Sequence, residues 1–243
     1  MRKNELHVRD KLIEFVRRDG QLDAPIAFLT IEDGGDIPSV ERLHASLAES
    51  EAWEPKVPAD LDRKLGRPGE IIPKLMTLFA TDGQALGDWR QYRGNMLYLK
   101  NELNLKFYPI ARHNQHDGFT QEVIDYMEME NNQYLSWCYL HRPAVLARRF
   151  GELLKQKELI VILGERPGWL SVLKTLYPVV RHEDFRDEKG KFAYTLYFDT
   201  DDNLLFAYTS MFRGVSDAKL EQFSREISKY KTLSTVITLP TSR

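Results

Sequence analysis

The sequence contains a single cysteine, Cys138, among 243 residues. One cysteine cannot form an internal disulfide, and it cannot hold a cysteine-ligated iron–sulfur cluster. No apolar run approaches the roughly 20 residues that a helix needs to span a bilayer. The N-terminal segment MRKNELHVRDKL is charged and lacks the apolar core of a signal peptide. Together these absences favour a cytoplasmic protein without a membrane segment.

Signatures of several common sites are also missing. The six histidines are scattered, and the neighbouring pair His113 and His116 has no further ligand at a metal-binding spacing. We therefore predict no metal site. The chain has neither a GxSxG nucleophile elbow nor a GxGxxG dinucleotide fingerprint. The formal net charge of −2 gives no general attraction to nucleic acid, so binding to DNA or RNA would need a local basic patch.

The composition is that of a folded protein. Hydrophobic residues make up 42% of the chain and aromatic residues 11%, which is ample for a core and argues against disorder. The length suits one large domain, and we predict a single domain over residues 1–243. Residues 51–69 are rich in proline and charge, a helix is expected near 70–80, and a loop with several glycines continues to 94. We therefore predict an inserted irregular and helical excursion at 51–94.

Four short apolar runs each end in a polar loop marked by glycine or proline. They are PIAFLTI at 25–31, LNLKFYP at 103–109, LIVIL at 159–163 and LLFAYT at 204–209. Each run predicts a buried strand followed by a turn, with helical patterns in between. Strands that alternate with helices indicate a mostly parallel sheet covered on both faces. The predicted fold is thus α/β, a three-layer αβα sandwich around a mostly parallel four-stranded sheet, with a C-terminal hairpin at 193–208.

Capping residues predict where several helices begin and end. Gly20 would end a helix over 5–19, and Thr120 would begin one that reaches about residue 136. Pro143 suits the first turn of a further helix to about residue 156. These boundaries leave the candidate chemistry in the loops after the four apolar runs.

The loop after the first run carries paired acidic residues. Glu32 and Asp33 follow the run and are themselves followed by Gly34 and Gly35. In an open α/β sheet ligands bind beyond the carboxyl ends of the strands, so the four loops should meet in one crevice. A carboxylate there could orient a water molecule or stabilise a developing cation. Equally, Asp33 could organise its own turn through backbone hydrogen bonds.

The second run is flanked by amides and ends in aromatic residues. Asn101 and Asn104 each offer a donor and an acceptor, which suits contact with the edge of a pyrimidine. Phe107 and Tyr108 could provide a face on which a base stacks. The alternative is structural, because asparagine often caps or turns the chain and aromatic residues in strands usually belong to the core.

The last two loops carry candidates for phosphate contacts. Gly164 ends the third run, and Arg166 follows where a helix begins, so backbone N–H groups there could hold a phosphate. In the last loop Ser210 and Arg213 suit contacts with a DNA backbone. Surface turns carry residues of these types routinely, so each loop alone is weak evidence.

Taken in order, the four junctions resemble the uracil-DNA glycosylase superfamily. Residues 31–35, IEDGG, are similar to its first-strand loop of the type GQDPY or GEEPG. The segment KNELNLKFYP matches a strand whose asparagine contacts the base before a proline, and LIVILGE is similar to a third strand of the type VIVLLGK. Tyr208, Thr209 and Ser210 stand where the family has HPS before a helix. The resemblance covers most of residues 25–230.

The resemblance implies a DNA glycosylase, a hydrolase that flips a base out of DNA and cleaves its N-glycosidic bond. Asp33, with Glu32, would orient water and stabilise the sugar cation, and Asn101 or Asn104 would contact the base. Tyr208, Ser210 and Arg213 would donate to the leaving base or grip phosphates. It implies no metal and no organic cofactor, and a monomer whose partner is DNA. The basic rim would come from Lys106, Arg112, Arg166 and Arg213.

Two departures from the family pattern bear on specificity. Gly34 replaces the proline of the first motif, and Tyr208 or Thr209 replaces the histidine of the last. They favour a uracil-like or modified pyrimidine over plain uracil, in base-excision repair or in defence against phage DNA with modified bases. Two alternatives remain: an α/β enzyme that processes free nucleosides or nucleotides, and a non-catalytic binder of DNA or of a protein.

Overall fold

A seven-stranded sheet runs through the protein. The computed structural model describes residues 9–16, 18–31, 39–51, 68–110, 118–164, 166–186, 193–210 and 215–240. The strands are β1 (Arg18–Gly20), β2 (Ile26–Thr30), β3 (Glu102–Lys106), β4 (Leu159–Leu163), β5 (Arg181–Arg186), β6 (Ala193–Phe198) and β7 (Leu204–Thr209). Their order is β1-β3-β2-β4-β7-β6-β5.

Helices cover both faces of this sheet. They are α1 (residues 9–14), α2 (Val40–Glu51), α3 (Pro68–Phe79), α4 (Trp89–Leu99), α5 (Gln121–Met127), α6 (Asn131–Lys155), α7 (Arg166–Leu176) and α8 (Asp217–Ser228). One core cluster lies under α1, α2, α5, α6 and α7, and the other lies under α3, α4 and α8. Within the described ranges, no helix combines the length and the apolar character needed to cross a membrane.

The predicted sandwich is confirmed. The four apolar runs form β2, β3, β4 and β7, which are neighbours in the sheet and pair in parallel. β2 and β4 are buried at every position, because helices cover both of their faces. β6 and β7 form the predicted antiparallel hairpin. The sheet has three further antiparallel members, β1, β5 and β6, of which the sequence indicated only β6.

Four sequence-based boundaries are wrong. The helix that Thr120 caps ends at Met127 and does not reach residue 136. Gly20 does not end a helix but lies in β1 with φ +85°, where its backbone abuts the carbonyl of Glu102. Pro143 does not begin a helix but lies inside the continuous 25-residue α6. The loop expected up to residue 94 is replaced from Trp89 by α4, which Asp88 caps by accepting from the backbone N–H groups of residues 90 and 91. Residues 68–94 therefore belong to a helical layer of the sandwich.

A fully buried arginine on α6 joins three parts of the fold. Arg142 Nε donates to the carbonyl of Phe107, just beyond β3, at 2.8 Å. Its two Nη atoms donate to the last carbonyls of α1 and the residue beyond it, those of Leu12, Ile13 and Phe15. A cation is favourable at a helix C-terminus, where carbonyls lack partners within the helix. Burial lowers the pKa of the Arg142 guanidinium.

We expect Arg142→Lys to lower the free energy of unfolding by roughly 3 kcal/mol or more, because one ammonium cannot satisfy four dispersed carbonyls. Urea denaturation would measure the change. Arg148→Lys is the matched control, since the Arg148 side chain is 74% exposed and the same exchange there should have little effect. Equal stability of the two variants would contradict a structural role for Arg142.

Candidate functional site

The carboxyl ends of the four parallel strands lie side by side along one edge of the sheet. The chain passes from β2 outward to β3 and then returns to β4 on the other side of β2. The strand order therefore reverses between β2 and β4. In open α/β sheets this reversal is where ligands bind. β2 ends at Thr30 and β4 ends at Leu163 at this position.

Hydrogen bonds hold this edge together. The carbonyl of Thr30 accepts from the backbone N–H of Phe107 at 2.9 Å and from Trp169 Nε1 of α7 at 2.8 Å. Gly164, with φ +85°, donates its N–H to the carbonyl of Thr209 at 3.1 Å. These bonds join the ends of β2, β3, β4 and β7, and they seat the start of α7 on the same edge.

Polar side chains form a row near this edge on the face that α3, α4 and α8 cover. Thr30 Oγ1 donates to Asn104 Oδ1 at 2.9 Å, and Asn104 is only partly buried. Lys106, two residues further along β3, is buried and lies 3.4 Å from Asp19 Oδ2 through its Nζ. Thr209 ends β7 on the same face. We call these four residues, Thr30, Asn104, Lys106 and Thr209, the polar row.

Thr209 contributes an unusual group to the polar row. The residue is fully buried, and its Oγ1 has no hydrogen-bond partner in the described part of the chain. A buried hydroxyl without a partner costs free energy, so a position that retains one invites a functional explanation. Thr30 and Thr209 flank β4, whose Leu163 pairs with Thr209.

Asn104, and not Asn101, belongs to the candidate site. Asn101 precedes β3 at the opposite end of the sheet and is 2% exposed. Its Nδ2 donates to the Thr238 carbonyl at 2.6 Å and to Tyr92 Oη at 3.1 Å, and its Oδ1 accepts from the Thr238 N–H at 2.9 Å. Its amide is thus committed to holding the C-terminal segment. The expectation that Asn101 contacts a base is corrected by this position.

The aromatic pair predicted for stacking is buried. Phe107 and Tyr108 are 0% and 1% exposed, so neither presents a face to a ligand. Phe107 packs on Trp169 and lies so close to Gly168 that a side chain there would meet the Phe107 ring at 2.4 Å. Phe107 faces the core under α6 and α7, so its ring cannot stack on a base as the sequence had predicted. Tyr139 of α6 packs on Phe107 with ring centroids 5.7 Å apart and remains 37% exposed.

Of the residues predicted to bind a ligand in the last two loops, some lie at the shared edge and others do not. Tyr208 packs on the core cluster under α6 and α7, so it faces away from the polar row. Ser210 Oγ donates to the Ala193 carbonyl and accepts from the Ala193 N–H, both at 3.1 Å, so its hydroxyl closes the β6–β7 hairpin. These contacts correct the expected ligand roles of Tyr208 and Ser210. Gly164 lies at the shared edge, and Arg166 begins α7.

Other predicted site residues lie outside the described residues. They are Glu32, Asp33, Arg112 and Arg213. The histidine pair His113 and His116, for which we predicted no metal site, also lies outside the described residues. Lys106 is described, but its burial and its ion pair with Asp19 remove it from an exposed basic rim. Among the described residues, no group of three or more His, Cys, Asp or Glu side chains could hold a metal ion.

The opposite edge of the sheet has its own buried polar cluster. Tyr92 Oη donates to Glu102 Oε2 and accepts from Asn101 Nδ2. Burial raises the pKa of Glu102 to about 7, although the bond from Tyr92 opposes the shift. Burial and the nearby carboxylate also raise the pKa of Tyr92. The side chains of this cluster bond to one another and to the backbone of Thr238, which indicates a structural role.

Comparison with known proteins gives no match for this chain among family models, curated proteins or solved structures. The chemistry of the site therefore rests on its own residues. Of these, Thr30 was missed by sequence reasoning, and Thr209 was named there only as a residue that stands in place of a motif histidine. A signal was present, because the runs IAFLT and LLFAYT both end in threonine after apolar residues. Only the strand register shows that the two hydroxyls share a face.

Glu102 should make stability depend on pH. Unfolded glutamate titrates at about 4.5 and Glu102 in the fold at about 7, so between these values the folded chain binds the extra proton. The free energy of unfolding should therefore fall as pH rises through this window, by roughly 3 kcal/mol in total. Glu102→Gln should flatten the profile measured by urea denaturation. Glu152→Gln, whose side chain is 86% exposed, should keep the wild-type slope.

Removal of the unpaired hydroxyl at Thr209 should stabilise the fold. We expect Thr209→Val to raise the free energy of unfolding by about 1 kcal/mol, because the buried hydroxyl makes no compensating bond. Ser224→Ala on α8 is the matched control, since Ser224 Oγ is also buried without a partner among the described residues. Thermal unfolding would compare both with wild type. A destabilised Thr209→Val would show that the hydroxyl is satisfied after all.

Proposed function

We propose that this protein is a DNA glycosylase that hydrolyses the N-glycosidic bond of a uracil-like or modified pyrimidine. The base would be flipped out of the DNA stack at a cost of a few kcal/mol and held at the carboxyl edge of the sheet. Cleavage puts positive charge on the sugar and negative charge on the departing base. The products are the free base and an abasic site.

The observation that carries the proposal is the common edge. The four junctions on which the family resemblance rests follow β2, β3, β4 and β7, which are adjacent and parallel. Had these strands been scattered or antiparallel, the loops could not have met. The adjacent parallel ends of these strands, at the reversal of strand order, support one shared site for the acidic loop, the amide strand and the last two loops.

The polar row supplies groups of suitable chemistry. Asn104 is partly buried and carries an amide that can contact a base edge. Lys106 lies on the same strand face about 7 Å along the backbone, where its charge is paired with Asp19. Asp33 remains the proposed group that orients water.

Asp33→Asn should fold normally and bind DNA, yet lose base excision by about 100-fold or more, because the amide lacks the charge that stabilises the sugar cation. The assay is incubation with oligonucleotides that carry a panel of modified pyrimidines, followed by alkaline cleavage at abasic sites. Asp201→Asn in the β6–β7 turn is the matched control, since this turn lies at the other end of β7. Unchanged excision by Asp33→Asn would make Asp33 a turn residue only.

The same panel separates the alternative functions. Activity on free nucleosides but not on DNA would select a nucleoside-processing enzyme. Tight DNA binding without abasic sites would select a non-catalytic binder. We expect weaker excision of plain uracil than of a modified pyrimidine, because the last loop lacks the histidine that the family uses there.

A further inference from the structure

We propose that Lys106 gives this protein a second activity. Its amine attacks the abasic sugar that base excision leaves and, with Asp19 as the proton acceptor, cleaves the DNA strand by β-elimination. The inference rests on the proposed function, because an abasic site is the product of base excision. It starts from the burial of a lysine beside an exposed carboxylate.

Lys106 lies at the end of β3, one strand away from the reversal of strand order. In the pairing of β2 with β3 it is opposite Thr30, the last residue of β2, and both belong to the polar row. Asn104, two residues back on the same face of β3, is partly exposed, so solvent reaches this face beside Lys106. A sugar held at the carboxyl ends of β2 and β3 would therefore lie close to the Lys106 side chain.

The ion pair of Lys106 is asymmetric. The Lys106 side chain is 8% exposed, whereas the Asp19 side chain, whose Oδ2 lies 3.4 Å from Lys106 Nζ, is 61% exposed. Removing an ammonium from water is costly, and a solvated carboxylate returns little of that cost. Stability alone therefore gives a weak reason for this lysine. Buried lysines beside a proton acceptor are the type that enzymes use as amine nucleophiles towards carbonyl groups.

The short strand β1 holds Asp19 in its place. β1 pairs antiparallel with β3, and Asp19 lies opposite Asn104. Gly20 follows with φ +85°, and a Cβ at this position would overlap the carbonyl oxygen of Glu102. Glycine is thus required for β1 to approach β3 so closely. The Asp19 carboxylate is therefore fixed beside the amine and is open to solvent, with which it can exchange protons.

The reaction uses these two side chains and water. The Lys106 ammonium gives a proton to Asp19, and the neutral amine adds to the C1′ aldehyde of the ring-opened sugar. Asp19 returns the proton to the hydroxyl that leaves as water, which forms a protonated imine. Asp19 then takes a proton from C2′, the C3′–O bond breaks, and its electron pair leaves with the downstream strand as a 5′-phosphate. Water hydrolyses the imine and restores the amine.

The test supplies the abasic site ready-made, in an oligonucleotide duplex whose single uracil has been removed by a separate enzyme. Sodium borohydride reduces the imine to a stable amine and so cross-links the protein to DNA, while strand cleavage is followed without borohydride. Wild type should give both products on denaturing gels. Mass spectrometry should locate the adduct on Lys106, and an adduct on another residue alone would overturn the inference.

Lys106→Arg keeps a cation for Asp19 but has no nucleophilic amine, so both cross-link and cleavage should be lost. Lys157→Arg is the matched control and should behave as wild type. Lys157 is also partly buried, but it lies at the opposite edge of the sheet, where its Nζ donates to the carbonyls of Leu22 and Ala24. Wild-type cross-linking by folded Lys106→Arg would overturn the inference. If Lys106→Arg does not fold, the location of the adduct in wild type decides.

Asp19→Asn should slow strand cleavage by about 100-fold, because an amide cannot accept the proton from C2′. Asp23→Asn is the matched control, since Asp23 is the exposed carboxylate near Lys157. Equal cleavage by the two variants would overturn the assignment of Asp19 as the proton acceptor.

Failure of the inference and failure of the proposed function give different results. Wild type that excises a modified pyrimidine but does not cross-link to abasic DNA would overturn the inference and leave the proposed function standing. Wild type that cross-links through Lys106 and cleaves abasic DNA, yet excises no base, would support the second activity and overturn the proposed one.

Discussion

The guanidinium of Arg142 is the interaction on which the shape of the candidate site depends. It is buried and is satisfied by backbone carbonyls at the end of α1 and just beyond β3. Through Phe107 it fixes where the second strand of the parallel core ends relative to α6. Phe107 in turn packs against α7, whose Trp169 is bonded to the end of β2. One buried cation therefore ties α6 to the end of α1 and to the end of β3 at the shared edge.

The sequence could predict the parallel core because its strands are buried on both faces. Such strands are continuous apolar runs, and loops with glycine or proline mark their ends. β5 escaped prediction because RHEDFR is polar at an exposed edge, where only alternate positions approach burial. Pro143 was misplaced for another reason. Proline favours a helix start, but tertiary packing of α6 on both sides of it keeps the helix continuous.

The site was harder to predict than the fold, because it depends on register. Asn101 and Asn104 are three residues apart, yet one lies at the end of the sheet away from the candidate site and the other beside Thr30. Spacing alone cannot separate them, since the answer depends on where β3 begins. Tyr208 and Thr209 differ by a single residue, and strand alternation sends them to opposite faces of the sheet. Thr209, the less conspicuous residue, lies on the face of Asn104.

The two ends of the sheet differ in how their polar groups are satisfied, and this contrast carries the functional argument. At one end Tyr92, Asn101 and Glu102 bond to one another and to the C-terminal segment, so this cluster uses its polar groups to hold the fold. At the other end Asn104 bonds to Thr30 through its Oδ1 only, and Thr209 Oγ1 has no hydrogen-bond partner among the described residues. An unpaired hydroxyl alone is weak evidence, because Ser224 has one on α8. The polar row is distinguished because such groups coincide there with the reversal of strand order, where a ligand can supply the missing partners.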